Sequence, residues 1–500
     1  VSMALMCAWA SLLVDGVGWL NASAEATAGG RTLLLSAVLP VRTSSAARVL
    51  ATSYGYGPIP MLSAYDAGTN LPVLPWNTTL QRAAPAATWA QPPYAPATTA
   101  TQPPYDTRFF EQRVDHASPA ANATWRQRYL ISEAHWGGPG SPILFYTGNE
   151  GPITGFWAAC GFVTEVLAPR LGALVVFAEQ RFYGESLPFG RIGSFSPAAL
   201  ALLTAEQVLA DYALLLTSLK AQLHAAESRV VAFGGSFGGT LATLFRAKYP
   251  HVVVGALAAS APLGYYSPTY WKERGVDELT WFRTVERVYT EAKEGCYETL
   301  VRAVHLANAT ARSDGRAAAA AFGLCSPPED ADAFVFWVTE ALESMPQIDY
   351  QDAGSPVNAT CEAVRRELQG AELLAALAAV TRRYYGVATD ACLPQTSARN
   401  LQVAGGTPGD GPAPASSWGY QSCSETLHPF SIPPGSWRPY RFSLPALTAL
   451  CRQYYNVTPD LHRLERWSGV YAIAGKDSGH SNIIWSNGRR DPWHGGGFLR

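Results

Sequence analysis

Five hundred residues allow about two or three domains and a large core. Lys and Arg number 37 against 39 for Asp and Glu, a formal net charge of −2. That balance offers no basic stripe for nucleic acid and no acidic tail. Nothing approaches the run of ~18 apolar residues that a mature membrane span requires.

Met3 to Val14 is a short apolar run, followed by the small residues Ala22-Ser23-Ala24. This is the form of a secretory signal peptide over residues 1–24. It departs from the pattern in beginning with Val1 and in having its first basic residue at Arg31. Residues 25–104 are rich in Ala, Thr and Pro, and repeat Gln91-Pro92-Pro93-Tyr94 as Gln102-Pro103-Pro104-Tyr105. Such a composition buries little core, so the segment reads as a propeptide-like or disordered lead-in.

Order begins near Phe110. Pro142 to Tyr146, Ala173 to Ala178, Arg229 to Phe233 and Val252 to Ala259 read as buried strands. Thr204 to His224 carries Val208, Tyr212, Leu215, Leu216, Leu219 and Leu223 at helical spacing, and Thr240 to Tyr249 reads as a helix stopped by Pro250. This alternation predicts an α/β fold, a mostly parallel sheet with helices on both faces, beginning in residues 105–266. Residues 267–469 change character. Helical segments dominate, among them Asp277 to Ala292, Asp332 to Leu342 and Ala363 to Tyr384, and they read as an inserted cap. The sheet resumes in residues 470–500, with a strand at Asn482 to Trp485.

The eight cysteines include Cys296, Cys325, Cys361, Cys392, Cys423 and Cys451, all inside the insertion. They lack the C-x-x-C pairs of a zinc site, which favours disulfides in an oxidising compartment. Cys7 falls in the leader, and Cys160 reads as an unpaired core thiol. Sequons at Asn21, Asn77, Asn122, Asn308, Asn358 and Asn456 point the same way, towards a glycosylated surface, although Asn21 would leave with the leader.

The most informative stretch is Gly234-Gly235-Ser236-Phe237-Gly238-Gly239, between a predicted strand and a predicted helix. A G-x-S-x-G turn in that setting forces strained dihedrals on its serine and exposes the hydroxyl at the sheet edge. The next N–H, that of Phe237, then points to where an oxyanion would form. A nucleophilic serine needs a base and a carboxylate that orients it. In the α/β-hydrolase order the acid follows the serine, and Asp491 sits on a loop directly after a predicted strand. No Gly-rich phosphate loop and no metal-ligand cluster stands out, so neither a cofactor nor a metal is expected.

Several long stretches resemble one family. They are Phe110-Glu111-Gln112-Arg113-Val114-Asp115-His116, Gln127-Arg128-Tyr129-Leu130 and Phe145-Tyr146-Thr147-Gly148-Asn149-Glu150-Gly151. The run from Phe177 to Gly190 (FAEQRFYGESLPFG), the Ser236 elbow, Val254 to Pro262, and Ser486-Asn487-Gly488 leading to Asp491-Pro492-Trp493 continue it. From about residue 109 onward the chain is similar to the family of lysosomal Pro-X carboxypeptidase and its dipeptidyl-peptidase sister. The resemblance implies an α/β-hydrolase core with a helical, disulfide-stapled cap. It implies Ser236 as nucleophile, Asp491 as the triad acid, and Trp493 as a wall of the pocket that holds proline. It also implies the pairing Cys296–Cys361, Cys325–Cys392 and Cys423–Cys451. The loop after the Tyr146 strand usually completes the oxyanion hole, with backbone N–H groups from Gly148 and Asn149. Glu150 either orients that loop or binds a substrate amine. Departures are Gln180 where the family usually has His, Phe182 where it has Tyr, and Ser431 where it has Cys.

The base is the largest departure. Of nine histidines, only His494 follows Asp491, and it leaves no room for the helix and strand that precede the family's catalytic His. His494 therefore reads as a rim histidine, and the base is expected beyond residue 500. His116, beside Asp115, reads as a structural histidine. The expectation is a secreted, lysosomal or vacuolar serine exopeptidase acting on peptides with proline near one end, as a carboxypeptidase and with a homodimer allowed. The alternatives are a dipeptidyl-peptidase, a non-catalytic relative without the base, and an esterase.

Overall fold

The structure is a computed structural model. It describes residues 103–498 except 121, 329, 350–353, 387–390, 394–416 and 470–479, together with the backbone of five strands before residue 103. Those strands are β1 (Leu5–Val14), β2 (Gly18–Ala26), β3 (Leu33–Ser36), β4 (Val49–Tyr54) and β5 (Trp76–Thr79), in an antiparallel sheet of order β3-β2-β1-β4-β5. Apart from those strand backbones, the leader and the lead-in lie outside the described residues.

The main sheet is built from β6 (Asp106–Arg113), β7 (Thr124–Ser132), β8 (Ile143–Thr147), β9 (Leu174–Ala178), β10 (Val230–Gly235), β11 (Gly255–Ala259) and β12 (Ile483–Ser486). Its order is β12-β11-β10-β8-β9-β7-β6. The strands from β8 to β12 run parallel, while β6 and β7 pair antiparallel with each other, and β7 with β9. The sheet is therefore mixed, with its antiparallel strands confined to one side. This is an α/β-hydrolase core.

The apolar runs of the central strands follow from burial on both faces. In β8, Ile143 and Phe145 join the cluster around Tyr212 and Phe245, while Leu144 and Tyr146 join the opposite cluster around Trp157 and Phe177. The Ala205–Gln222 helix starts where the Thr204 hydroxyl accepts from the Gln207 N–H. The Phe237–Lys248 helix begins three residues before its expected start, directly after Ser236, because the glycines of the turn are already helical.

The insertion is helical and stapled, and has two parts. Helices Thr280–Ala292, Cys296–Ser313, Ala331–Ser344, Pro356–Ala363 and Gly370–Tyr384 close around their own core, which includes Trp281, Val304, Trp337 and Trp437. Trp418, Tyr420, Cys423, Cys451, Tyr455 and Leu464 belong instead to the core of the main sheet. Disulfides join Cys296 to Cys361, Cys325 to Cys392, and Cys423 to Cys451. The helix expected over Ala363 to Tyr384 starts only at Gly370, since the chain leaves helical geometry at Val364 (ψ 75°) at the end of the Pro356–Ala363 helix. Cys160 is free and half-buried, and burial pushes its thiol up to about 12. Asn122, Asn358 and Asn456 are exposed, whereas the half-buried Asn308 accepts from Arg312 Nε at 3.0 Å. Among the described residues no helix is long and apolar enough to cross a membrane.

A charged contact ties the later part of the insertion to the core. Glu425, just past the Ser417–Ser424 helix, accepts from the Ala205 N–H at 3.1 and 3.3 Å, at the start of the Ala205–Gln222 helix. The Glu206 carboxyl stands beside it, and Arg463 Nε lies 3.6 Å away. Burial, reinforced by Glu206, raises the Glu425 carboxyl to about 8, against the pull of Arg463. A carboxyl whose folded pKa is raised contributes stability that is complete below its ordinary range and is lost as pH climbs through the folded value. The melting temperature should therefore fall as pH rises from 5 to 8.5, and fall less in Glu425→Gln. Separately, the paired change Cys423→Ser with Cys451→Ser opens a loop of 28 residues and should cost about 3–4 kcal/mol in chemical denaturation, from chain entropy.

Candidate active site

Parallel register brings several strand ends to one edge. Gly235 is level with Ala259, and Ala259 with Ser486, while Phe233 is level with Tyr146 on the other side. The residues that follow, namely Ser236, Ser260, Asn487 to Asp491, and Gly148 to Glu150, leave the sheet at its carboxyl edge. Open α/β sheets place their ligands there.

Ser236 has φ 55° and ψ −126°, strained for a residue with a side chain. Its N–H donates to Ala259 O at 2.9 Å, which fixes the turn to the next strand. The turn is too close-packed for side chains. A Cβ on Gly234 would come within 2.5 Å of the Gly238 backbone, and one on Gly238 within 2.7 Å of Thr147 O. The Thr147 hydroxyl donates to Gly238 O at 2.7 Å and to Phe233 O at 3.1 Å, tying β8 to both arms of the turn. Phe237 is the first residue of its helix, so its N–H is among the first-turn donors without an intrahelical acceptor.

The loop after β8 is held against this turn. Asn149 Nδ2 donates to Gly235 O at 2.7 Å, and Asn149 Oδ1 accepts from the Tyr146 hydroxyl at 2.5 Å. Gly148 packs so tightly that a Cβ would come within 2.3 Å of Ala178 O. Glu150 follows, its Oε2 accepting from Asn149 Nδ2 at 3.3 Å. Burial raises the Glu150 carboxyl above its usual range, with the Asn149 amide acting against it. Gln180, beside this loop, is fully buried, and its side-chain amide has no hydrogen-bond partner among the described residues.

Asp491 sits at the start of the short turn Pro492–Gly496, and its Oδ1 accepts from the Trp493 N–H at 3.0 Å. Burial raises its carboxyl. A hydrogen bond from Ser260, the Trp493 N–H and the nearby His494 pull the other way. Ser260 is itself in the left-handed region, with φ 46°. Its place at the end of the strand beside the elbow, within the Val254 to Pro262 stretch, was a signal that sequence reasoning left unused.

His494 binds the Asp491 carbonyl oxygen through Nδ1 at 2.6 Å, and so meets the acid's backbone. Among the described residues no histidine is hydrogen-bonded to the Ser236 hydroxyl or to the Asp491 carboxyl. His116 pairs with Asp211 at 2.7 Å, and Asp211 also takes both arms of the fully buried Arg181.

Trp493 is part of an aromatic group. Its ring lies 5.1 Å from His428, 5.8 Å from Phe430 and 6.2 Å from Tyr265, centroid to centroid. His428 also faces Trp418 at 5.9 Å, and Trp418 meets Phe237 at 5.6 Å. The group thus reaches from the Asp491 turn to the residue after Ser236. Burial pushes the His428 imidazole down to about 3, so it is neutral at any working pH, and its Nε2 lies 3.3 Å from the Tyr266 hydroxyl. Sequence reasoning missed His428 and Tyr266, whose neighbours come from distant parts of the chain.

The family model described as "Serine carboxypeptidase S28" matches residues 112–500. The chain belongs to this family. It is 34% identical over 412 residues to the lysosomal Pro-X carboxypeptidase of Mus musculus, covering 78% of this chain and 79% of that protein. The Homo sapiens counterpart is also 34% identical, over 411 residues and 78% of each chain. The thymus-specific serine protease of Mus musculus is 28% identical over 427 residues, 77% of each. The chain is thus a serine-peptidase family hydrolase.

Ser260 supports the ionised form of Asp491. Ser260→Ala should raise the Asp491 pKa further, so that the carboxylate forms only at higher pH. The acidic limb of the rate of Ser236 labelling by a fluorophosphonate should then move to higher pH.

Proposed function

We propose that this protein is a serine exopeptidase that cleaves peptides next to proline, with Pro-X carboxypeptidase activity through an acyl-enzyme on Ser236. The observation that carries the reading is the strained serine at the strand-to-helix turn, with Asp491 leaving the same sheet edge. The lysosomal Pro-X carboxypeptidases among its relatives supply the substrate class.

In this reading the Ser236 oxygen attacks the carbonyl carbon on the carboxyl side of proline. Its proton passes to a histidine base, and from there to the leaving amine. The peptide C–N bond breaks and an ester to Ser236 remains, which water hydrolyses by the same route. Asp491 orients the base, a histidine that the hydrolase order places after the acid. The Phe237 N–H and the backbone of Gly148 and Asn149 hold the oxyanion. Trp493, backed by the buried Phe430 and beside His428, would offer the proline ring a flat apolar face. The disulfides and the lysosomal relatives favour the secretory pathway, with a lysosomal or extracellular destination.

Glu150 favours a second reading. A carboxyl on the loop beside the nucleophile suits a substrate amine, which would make the enzyme a dipeptidyl-peptidase. Blocked peptides separate the two. An amino-blocked Pro-Phe peptide should lose its phenylalanine, whereas an X-Pro amide with a free amino end should stay intact, with product followed by chromatography. The opposite pattern selects the dipeptidyl-peptidase, and cleavage of simple esters alone rejects both.

A further inference from the structure

The segment that carries Asp491 is gripped from outside the sheet. On one side of the acid, Arg490 Nε lies 2.7 Å from Asp349 Oδ2. On the other, Trp493 Nε1 donates to Gln347 Oε1 at 2.9 Å. Gln347 and Asp349 belong to a single turn of the cap, Met345–Ile348 and the residue after it. Arg287, from the cap helix Thr280–Ala292, adds a hydrogen bond to Arg489 O at 2.6 Å. The core side contributes the Tyr265 hydroxyl, which donates to Pro492 O at 3.0 Å.

The Arg490–Asp349 contact is close in distance but off-line as a hydrogen bond, so it is an ion pair first. Its two members are held unequally. Asp349 is fully buried, and its Oδ1 accepts from the Ser355 hydroxyl at 2.5 Å and the Val357 N–H at 3.1 Å. The Arg490 side chain is 22% exposed, and its Nε and Nη2, both buried, make no hydrogen bond among the described residues, so fewer contacts fix it than fix Asp349. It is also the cation next in sequence to the Asp491 carboxyl. An unneutralised guanidinium there has a carboxylate to pair with bidentately, in competition with any base that Asp491 must orient.

We propose that Asp349 is a positioning residue for the catalytic acid: it draws the Arg490 guanidinium away from Asp491 and, with Gln347, lets the cap set the geometry of the acid turn. The inference rests on the reading of Asp491 as the triad acid. Asp349 touches neither substrate nor the reacting atoms. It acts through Arg490, and its effect is on how freely the Asp491 carboxylate serves its base.

The test is Ser236 labelling by a fluorophosphonate in the full-length protein, for wild type, Asp349→Asn and the double change Asp349→Asn with Arg490→Gln. Asparagine keeps the shape and the acceptor for Ser355 and Val357 but loses the charge. Labelling should slow about tenfold in the single variant, a scale expected of sub-ångström disorder at a catalytic group. It should return to within about threefold of wild type in the double variant, because the competing cation has gone. A merely structural Asp349 gives a double variant as slow as the single one, and that result overturns the proposal, as does a single variant that labels at the wild-type rate. A wild type that does not label sinks the triad reading instead. The grip is then decided by amide hydrogen exchange over residues 488–497, which should quicken in Asp349→Asn and, if unchanged, overturns it.

Discussion

The site depends on one close approach of backbone to backbone. The turn that carries Ser236 sits within hydrogen-bonding reach of the end of β8, with Thr147 bonded to Gly238 and Asn149 bonded to Gly235. Only glycine fits at positions 234 and 238, because any Cβ would overlap the facing backbone. The approach costs conformational strain at Ser236 and leaves no room for adjustment. In return, Ser236 and the loop that flanks it become a single rigid piece. Rigidity of this kind matters because a reacting oxygen and its stabilising donors must be held to fractions of an ångström.

The acid is held differently. The Asp491 turn is short and follows a strand at the margin of the sheet, so it has little core of its own. Its fixed geometry comes from groups far away in sequence: Ser260 and Tyr265 on the core side, and Gln347, Asp349 and Arg287 from the cap. Burial alone would favour a protonated carboxyl, and the hydrogen bonds to it act against that. The cap is thus part of the environment of Asp491.

Legibility in the sequence followed locality. The elbow could be read because strand, turn and helix are contiguous, and the close approach is written in glycines. The strands β8 to β11 were visible as apolar runs because both faces of the sheet are covered. β6 and β7 were passed over as strands, since β6 is largely exposed and the buried positions of β7 include the polar Gln127, Arg128 and Ser132. The expected helix from Ala363 was placed too early, as residues 364–369 are not helical. His428 and the Arg490–Asp349 pair gave no local signal. Each acquires meaning only when folding brings together residues as far apart as Trp493 and Gln347.

The division of the insertion has a consequence for how the chain can be cut. Its first part, with Trp281 and Trp437 inside, surrounds a core of its own, whereas residues such as Trp418, Tyr420 and Tyr455 are shared with the sheet. A deletion drawn at the sequence limits of the insertion would remove side chains that fill the hydrolase core, and expose the apolar surface beneath them. The earlier group of helices is tied in as well, since its core takes in Trp437 from beyond Ser417 and Trp493 from the turn after β12, so neither part can be trimmed alone.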